Sequence, residues 1–208
     1  MCIRDRVVNS IGVCGGSFDP VHFGHLRTAL EVRHQLGLEQ LRFIPAGNPP
    51  HKEGPRVSAA DRVNMLELAI AGCPGVVIDQ RETQRQKPSY TIDTLLELQQ
   101  ELPQASLTLI IGTDQFSVFD TWHRWQDLLK IAQVAVMERP GELLSDVAKE
   151  LLQGEFSSKI TLCPVTQLDI SSTRIRKDWR AGTDIRFLVP YAVRQYIIEH
   201  ELYTGSTH

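Results

Sequence analysis

The sequence predicts an α/β fold in which helices cover both faces of a doubly wound, mostly parallel sheet. Short apolar runs alternate with helix-like segments along almost the whole chain, which is the pattern of repeated β-α units. A glycine-rich turn joins the first apolar run to the first helical segment, and ligands bind beyond that end of the strands in such sheets. No repeat, low-complexity tract or linker divides the sequence, so we expect a single domain over residues 7–208 with a small C-terminal helical part.

Six strands and five helices are expected from the apolar periodicity. The strands are expected at Ile11–Cys14, Leu41–Pro45, Val76–Asp79, Leu107–Ile111, Val134–Met137 and Ile160–Leu162. The helices are expected at Gly24–Leu36, Ala59–Ala71, Ile92–Glu101, Gln126–Ile131 and Glu142–Leu152. Ser58 and Asp61 resemble a capping box for the second helix, and Ser89 or Thr91 is expected to cap the third.

Composition and charge are those of a globular protein with a full hydrophobic core. The 208 residues carry a net charge of −3 and a pI near 6.2, so the sequence predicts binding neither to nucleic acid nor to a membrane. No window holds the roughly 20 apolar residues of a membrane span. Cys2, Cys14, Cys73 and Cys163 are scattered without a C-x-x-C pair, which indicates reduced thiols and a cytoplasmic location. Residues 1–6 fit no element and are expected to be a non-native or disordered leader, and a homo-oligomer stays possible.

The turn between the first strand and the first helix, GGSFDPVHFGH at residues 15–25, carries the strongest chemical signal. Glycines let the backbone pass close to a ligand, and the start of the helix adds a dipole that favours phosphate. His22 and His25 lie one helical turn apart, so their side chains are expected on the same side. The alternatives are a structural glycine turn with two ordinary histidines, or a metal site formed by Asp19, His22 and His25.

A second signal lies in ISSTRIR at residues 170–176. Ser171 or Ser172 can cap a helix whose N-terminal amides face an anion. Ser172 and Arg176 share one face of that helix, while Arg174 points elsewhere. A guanidinium near a helix start can pair with triphosphate oxygens. The alternative is a capped helix with arginines that face solvent.

Together, these two segments resemble the G-G-x-F-D-P-x-H-x-G-H and I-S-S-T-x-I-R signatures of nucleotidyltransferases, which adenylylate or cytidylylate small phosphorylated molecules. Further segments resemble bacterial nicotinate-nucleotide adenylyltransferases. They are PPHK at 49–52, Arg85, SYTIDTL at 89–95, GTD at 112–114, TWHRW at 121–125, ERPG at 138–141, and the C-terminal run from Val189 to Tyr203. The resemblance therefore extends from about Ile11 to Tyr203.

The resemblance implies a Rossmann-like fold and ATP-dependent adenylylation of nicotinate mononucleotide, which gives deamido-NAD and pyrophosphate. His22, His25 and Arg176 are the expected catalytic residues, because they would hold the triphosphate and the charge that develops on it. The rest of the ATP site is expected at Gly15, Gly16, Ser17, Phe18, Gly112, Asp114, Ser171 and Ser172. A Mg²⁺ ion is expected to bridge the phosphates and to be held largely by the substrates, because no carboxylate cage is evident.

For the nicotinate ring, the resemblance implies stacking on Trp122 and amide donors to its carboxylate from the helix start at Tyr90 and Thr91 or from His123. His51, Lys52 and Arg139 are expected to complete the substrate site. Simpler roles are open: Trp122 and Trp125 as core residues, His51 and Lys52 as a solvated loop. Two other functions are also open. One is another small-molecule adenylyl- or cytidylyltransferase, and the other is a non-catalytic nucleotide-binding regulatory module.

Overall fold

The fold is built on a six-stranded, entirely parallel sheet with the strand order β3-β2-β1-β4-β5-β6. The computed structural model describes residues 9–47, 55–138 and 144–204. The strands are β1 Ser10–Gly16, β2 Gln40–Pro45, β3 Val76–Ile78, β4 Ser106–Gly112, β5 Ala132–Glu138 and β6 Ile160–Pro164. All six predicted strands are confirmed, and so is the doubly wound α/β fold.

Helices connect the strands and extend the chain beyond β6. In the described ranges they are α1 Phe23–Gln35, α2 Ala59–Ile70, α3 Arg81–Gln84, α4 Thr91–Glu101, α5 Thr113–Phe116, α6 Trp125–Ile131, α7 Asp146–Gln153, α8 Ser172–Arg180 and α9 Tyr191–Glu199. The ends of α1, α2, α4 and α6 agree with the prediction to within one residue. The predicted helix at Glu142–Leu152 begins later, at Asp146, because Ser145 accepts a hydrogen bond from the amide of Ala148 and caps it there.

Alternate residues of the strands, apart from the short edge strand β3, supply two separate cores, one on each face of the sheet. On one face, Phe43 and Ile110 belong to a cluster with buried residues of α1, α2, α8 and α9. On the other face, Leu109 and Ile111 belong to a cluster with buried residues of α4, α6 and α7. The near-continuous apolar sequence of the strands follows from this double burial.

Strands β1 and β4 are neighbours although they are not consecutive in sequence. From β1 the chain winds outward through β2 and β3, and from β4 it winds outward in the other direction through β5 and β6. The helices that follow β1 and β4 therefore leave on opposite faces and open a crevice beyond Gly16 and Gly112, where these two strands end. The fold thus positions a ligand site at this edge of the sheet.

The C-terminal segment folds back on the first half of the chain. Helix α9 packs beside α2, where the Tyr196 hydroxyl donates to Asp61 Oδ1 at 3.0 Å. Trp179 Nε1 donates to the carbonyl of Leu202 at 3.0 Å, and the buried Tyr203 hydroxyl donates to Asp19 Oδ1 at 2.7 Å. These contacts place the expected C-terminal helical part directly behind the loop that follows β1.

None of the helices in the described ranges combines the length and the apolar character needed to cross a bilayer.

A charged cluster joins the end of β3 to α4. Asp79 accepts hydrogen bonds from Arg81 Nε and Nη2 at 2.8 Å and from Arg42 Nη1 at 3.2 Å, and Arg81 also pairs with Glu101 at 2.8 Å. Burial would raise the pKa of the Asp79 carboxyl, but the hydrogen bonds from Arg81 and Arg42 outweigh burial and hold that pKa below its usual range. The cluster therefore stabilises the fold only while Asp79 is ionised.

We expect Asp79→Asn to lower the free energy of unfolding by about 1–2 kcal/mol at neutral pH. A pKa that is lower in the folded state contributes stability above the unfolded value of about 4, and this contribution is lost as the pH falls through the folded value. Urea unfolding from pH 7 to pH 3 should therefore show the wild type and the variant converging at acid pH. Asp146→Asn, at a side chain 94% exposed, is the control and should change little. A constant gap across the pH range would contradict this assignment.

We also expect Tyr203→Phe to lower the free energy of unfolding by about 1–3 kcal/mol, because the variant removes a donor from the buried Asp19 carboxylate. Urea unfolding with an unchanged m-value would measure this loss. Tyr191→Phe is the matched control, because that residue is 71% exposed and, among the described residues, its hydroxyl hydrogen-bonds only to the side chain of the neighbouring Gln195. An equal loss of unfolding free energy in the two variants would show that the hydrogen bond to Asp19 does not stabilise the fold.

Candidate functional site

The loop Ser17–His22 connects β1 to α1 and forms the centre of the site. Gly15 and Gly16 pair with Ile44 and Pro45 of β2, so they end the strand. The prediction that the glycine pair lies in the turn is therefore wrong, because the parallel ladder with β2 extends to Gly16. The glycine at position 16 is nevertheless required, since a Cβ there would lie 2.9 Å from the buried ring of Phe18.

The two histidines of the first motif stack on each other at the start of α1. Their ring centroids are 3.7 Å apart, with 23° between the ring planes. His22 is the extended N-cap residue, and its Nδ1 accepts a hydrogen bond from the amide of His25 at 3.4 Å. The prediction that both side chains lie on one side is confirmed, but His22 precedes the helix. A Cβ at position 24 would lie 2.9 Å from the His22 ring, so only glycine leaves room for it.

Helix α8 brings the second motif onto the same loop. The Ser172 hydroxyl donates to the carbonyl of Pro20 at 2.9 Å, although the two residues are 152 positions apart in sequence. The Arg176 guanidinium donates to the carbonyl of Asp19 and lies 3.7 Å from its carboxylate. Of the two serines that the sequence offered as caps, Ser171 is the N-cap, and Arg174 points away toward Asp169 and Asp178. The two signature segments therefore form one structure, although the sequence separates them widely.

Asp19 lies buried beneath the loop and connects it to several parts of the chain. Its carboxylate accepts hydrogen bonds from the Tyr203 hydroxyl and from the amide of Arg56, each at 2.7 Å. The sequence left open a metal site formed by Asp19, His22 and His25. Within the described residues, no three His, Cys, Asp or Glu side chains form a group that could hold a metal ion. Asp19 thus has the geometry of a structural anchor.

Arg62 of α2 is a contact of this loop that the sequence did not predict. Its Nη1 donates to the carbonyl of Ser17 at 2.9 Å, and the side chain is only 2% exposed. The sequence does contain a signal, because Arg62 is a cation on the helix face that also buries Val63, Met65 and Leu66. A buried arginine needs partners, so such a position indicates a specific acceptor.

Two further ATP-site candidates lie at the end of the neighbouring strand. Gly112 ends β4 and is the N-cap of α5, and Asp114 is exposed in the first turn of that helix. A Cβ on residue 112 would lie 2.6 Å from Asp114 Oδ1, so a side chain there would displace the carboxylate. Both candidates therefore lie at the same edge of the sheet as the Ser17–His22 loop.

The candidates for the nicotinate end also come together. The ring of Tyr90 contacts that of His123, with centroids 4.5 Å apart, and Thr91 begins α4. The prediction that Ser89 or Thr91 caps this helix is wrong. Its N-cap is Tyr90, which makes no capping hydrogen bond through its side chain, because a phenol is too long to fold back onto the first turn. Within residues 9–47, 55–138 and 144–204, the amides at the start of α4 thus have no side-chain acceptor.

The two tryptophans near Tyr90 and His123 pack against the hydrophobic core. Trp122 is half-buried against Phe119, with ring centroids 5.4 Å apart. Trp125 packs edge-on between Phe119 and Phe156, so its simpler role as a core residue is confirmed. The remaining candidates, His51, Lys52 and Arg139, lie outside the described residues.

Comparison with known proteins agrees with these motifs. A family model described as cytidylyltransferase-like matches residues 13–178. A Hydrogenovibrio crunogenus protein described as a probable nicotinate-nucleotide adenylyltransferase is 44% identical over 202 residues, which cover 93% of this chain and 97% of the relative. A Pseudomonas fluorescens protein of the same description is 44% identical over 206 residues, which cover 93% of this chain and 96% of the relative.

Solved structures show the same fold at lower identity. The Plasmodium falciparum nicotinic acid mononucleotide adenylyltransferase complexed with NaAD superposes with a TM-score of 0.77 at 18% identity, covering 95% of this chain and 98% of that one. This likeness concerns the fold, whereas the bacterial relatives match in sequence over nearly their whole length. The chain belongs to the nicotinate-nucleotide adenylyltransferase family.

Proposed function

We propose that the protein transfers the adenylyl group of ATP to nicotinate mononucleotide and releases deamido-NAD and pyrophosphate, a step of NAD biosynthesis. The observation that carries this proposal is the meeting of both signature segments on the Ser17–His22 loop through Ser172 and Arg176. Relatives 44% identical over most of the chain are described as nicotinate-nucleotide adenylyltransferases, which supports the choice of acceptor.

The reaction requires no covalent intermediate on the protein. A phosphate oxygen of nicotinate mononucleotide forms a bond to the α-phosphorus of ATP, while the bond from that phosphorus to the bridging oxygen breaks and pyrophosphate leaves with the electron pair. Catalysis then consists of positioning two anions in line and stabilising the charge that develops. We assign this stabilisation to His22, His25 and Arg176, because the stacked imidazoles and the guanidinium all border one loop.

The rest of the ATP site is assigned to backbone groups and short polar side chains around that loop. Gly15, Gly16, Ser17 and Phe18 would bring their backbone close to the nucleotide, and the start of α8 at Ser171 and Ser172 would face its phosphates. Asp114, which is exposed beyond Gly112, would accept hydrogen bonds from a ribose. This assignment puts the nucleotide in the crevice beyond the ends of β1 and β4.

Mg²⁺ fits this site as a partner of the substrate. The proposed donors around the triphosphate are imidazoles, a guanidinium and amides, whereas Mg²⁺ prefers oxygen ligands such as those of the phosphates themselves. We therefore propose that the ion enters with ATP, and that when bound it neutralises charge between phosphate groups. The side chains of His22, His25 and Arg176 then complete the neutralisation from the protein side.

At the acceptor end, we propose that the start of α4 binds the nicotinate carboxylate. The helix presents amides at Thr91 and Ile92 without a side-chain cap, and its dipole favours an anion there. Tyr90 and His123 border this helix start, and the amide of His123 is a further candidate donor. Trp122 would offer a flat face to the pyridinium ring, while His51, Lys52 and Arg139 stay candidate ligands of the nucleotide.

We expect the enzyme to prefer the acid over the amide. A carboxamide would turn donors toward the amides of α4, and leaving those groups unpaired costs about 1–3 kcal/mol, or about 5- to 150-fold in kcat/KM. Pyrophosphate release from ATP and Mg²⁺ should be compared for nicotinate mononucleotide, its amide analogue and phosphopantetheine. Equal turnover of acid and amide would contradict the carboxylate site. Turnover with phosphopantetheine alone would indicate another nucleotidyltransferase, and nucleotide binding without any release would favour a regulatory module.

We expect His22→Ala and His25→Ala to lower kcat by about 10²- to 10³-fold, the usual loss when a group that stabilises transition-state charge is removed. His34→Ala is the matched control, because His34 lies on the same helix but is exposed near its C-terminal end. Thermal unfolding should accompany the kinetics, so that loss of activity is separated from loss of structure. A folded His22 variant with a near-normal kcat would remove that residue from the mechanism.

A further inference from the structure

The hydrogen bond from Arg62 fixes one peptide group of the Ser17–His22 loop from behind. Arg62 is anchored on α2 and donates to the carbonyl oxygen of Ser17 at 2.9 Å. Its Nε has no acceptor within the part of the chain that the structure describes. The guanidinium therefore hydrogen-bonds mainly to Ser17. Burial lowers the pKa of the guanidinium, and the nearby Asp19 carboxylate opposes that shift, so Arg62 stays charged.

This bond also determines where the next amide points. In a trans peptide the C=O of one residue and the N–H of the following residue point in opposite directions. Because Arg62 draws the Ser17 carbonyl toward the protein interior, the N–H of Phe18 is turned to the open side of the loop. Among the described residues, no hydrogen bond uses the amide of Ser17 or Phe18 as a donor.

The backbone at Phe18 needs such a restraint. Its φ of 49° lies in the left-handed region, where a residue other than glycine is strained. A conformation of this kind persists only where its surroundings hold it in place. A left-handed residue within a turn also aligns successive amides into a concave anion site. The Arg62 hydrogen bond thus holds the strained backbone at Phe18, and that backbone orients the amide.

We propose that Arg62 is a positioning residue for the nucleotide: it holds the Ser17–Phe18 peptide so that the Phe18 amide donates to a phosphate of ATP. The inference rests on the proposed function of this loop, but it concerns only the nucleotide and not the acceptor. Arg62 does not touch the substrate, because it lies on the interior side of the peptide that it orients.

The test is a comparison of Arg62→Met and Arg62→Lys with the wild-type protein. Methionine keeps much of the side-chain volume without a donor, whereas lysine keeps a donor and a charge. ATP affinity should be measured by equilibrium titration, and kcat and both KM values by pyrophosphate release, at a temperature where each variant is folded. Leu151→Ala is the control for lost stability, because Leu151 belongs to the core on the other face of the sheet.

We expect Arg62→Met to weaken ATP binding and to raise its KM by about 10- to 100-fold, while the KM for nicotinate mononucleotide changes little. Arg62→Lys should recover part of this loss, and Leu151→Ala should leave both KM values unchanged. An ATP affinity of Arg62→Met equal to that of Leu151→Ala would overturn the proposal, and so would equal effects on both substrates.

The ATP titration also separates this proposal from the proposed function. If the wild-type protein bound ATP but released no pyrophosphate with any acceptor, the assigned reaction would fail. The affinities of the wild type and the Arg62 variants would still decide whether Arg62 positions the nucleotide loop.

Discussion

The buried carboxylate of Asp19 is the constraint on which the site depends. An anion with so little exposure is costly unless it is paired and hydrogen-bonded. Here the Tyr203 hydroxyl and the amide of Arg56 supply the hydrogen bonds, and Arg176 and Arg62 supply positive charge nearby. These partners come from three parts of the chain: Arg56 and Arg62 from the segment at and before α2, Arg176 from α8, and Tyr203 from the C-terminal end. Satisfying one carboxylate therefore draws α2, α8 and the C-terminal segment against the Ser17–His22 loop.

The loop held in this way carries the groups that the proposed chemistry needs. Three of its carbonyl groups face the protein, where Ser172, Arg176 and Arg62 donate to Pro20, Asp19 and Ser17 in turn. With the carbonyls engaged on that side, amides and imidazoles can serve an anion on the other. An enzyme that positions two phosphates gains most from groups that are already oriented before the substrate binds.

The two ends of the proposed substrate site differ in how their helices begin. Helices α1 and α8, which meet at the nucleotide loop, are capped by His22 and Ser171, so part of each first turn is satisfied by the protein itself. Helix α4 begins at Thr91 without a side-chain cap. A small carboxylate can take the place of the missing cap. The expected preference for the acid substrate therefore follows from the local structure of this helix.

The sequence by itself determined the strands, the limits of four of the nine helices in the described ranges and the two signature segments, because apolar periodicity and capping chemistry act over a few residues. It also placed His22 and His25 side by side, although for the wrong local reason, since the backbone before α1 is extended and not helical. Only the tertiary structure decided that Arg62 meets Ser17 and that Tyr203 meets Asp19, across 45 and 184 positions of sequence. Such pairings depend on how whole helices pack against the sheet, and no local pattern encodes the partner of a buried charge.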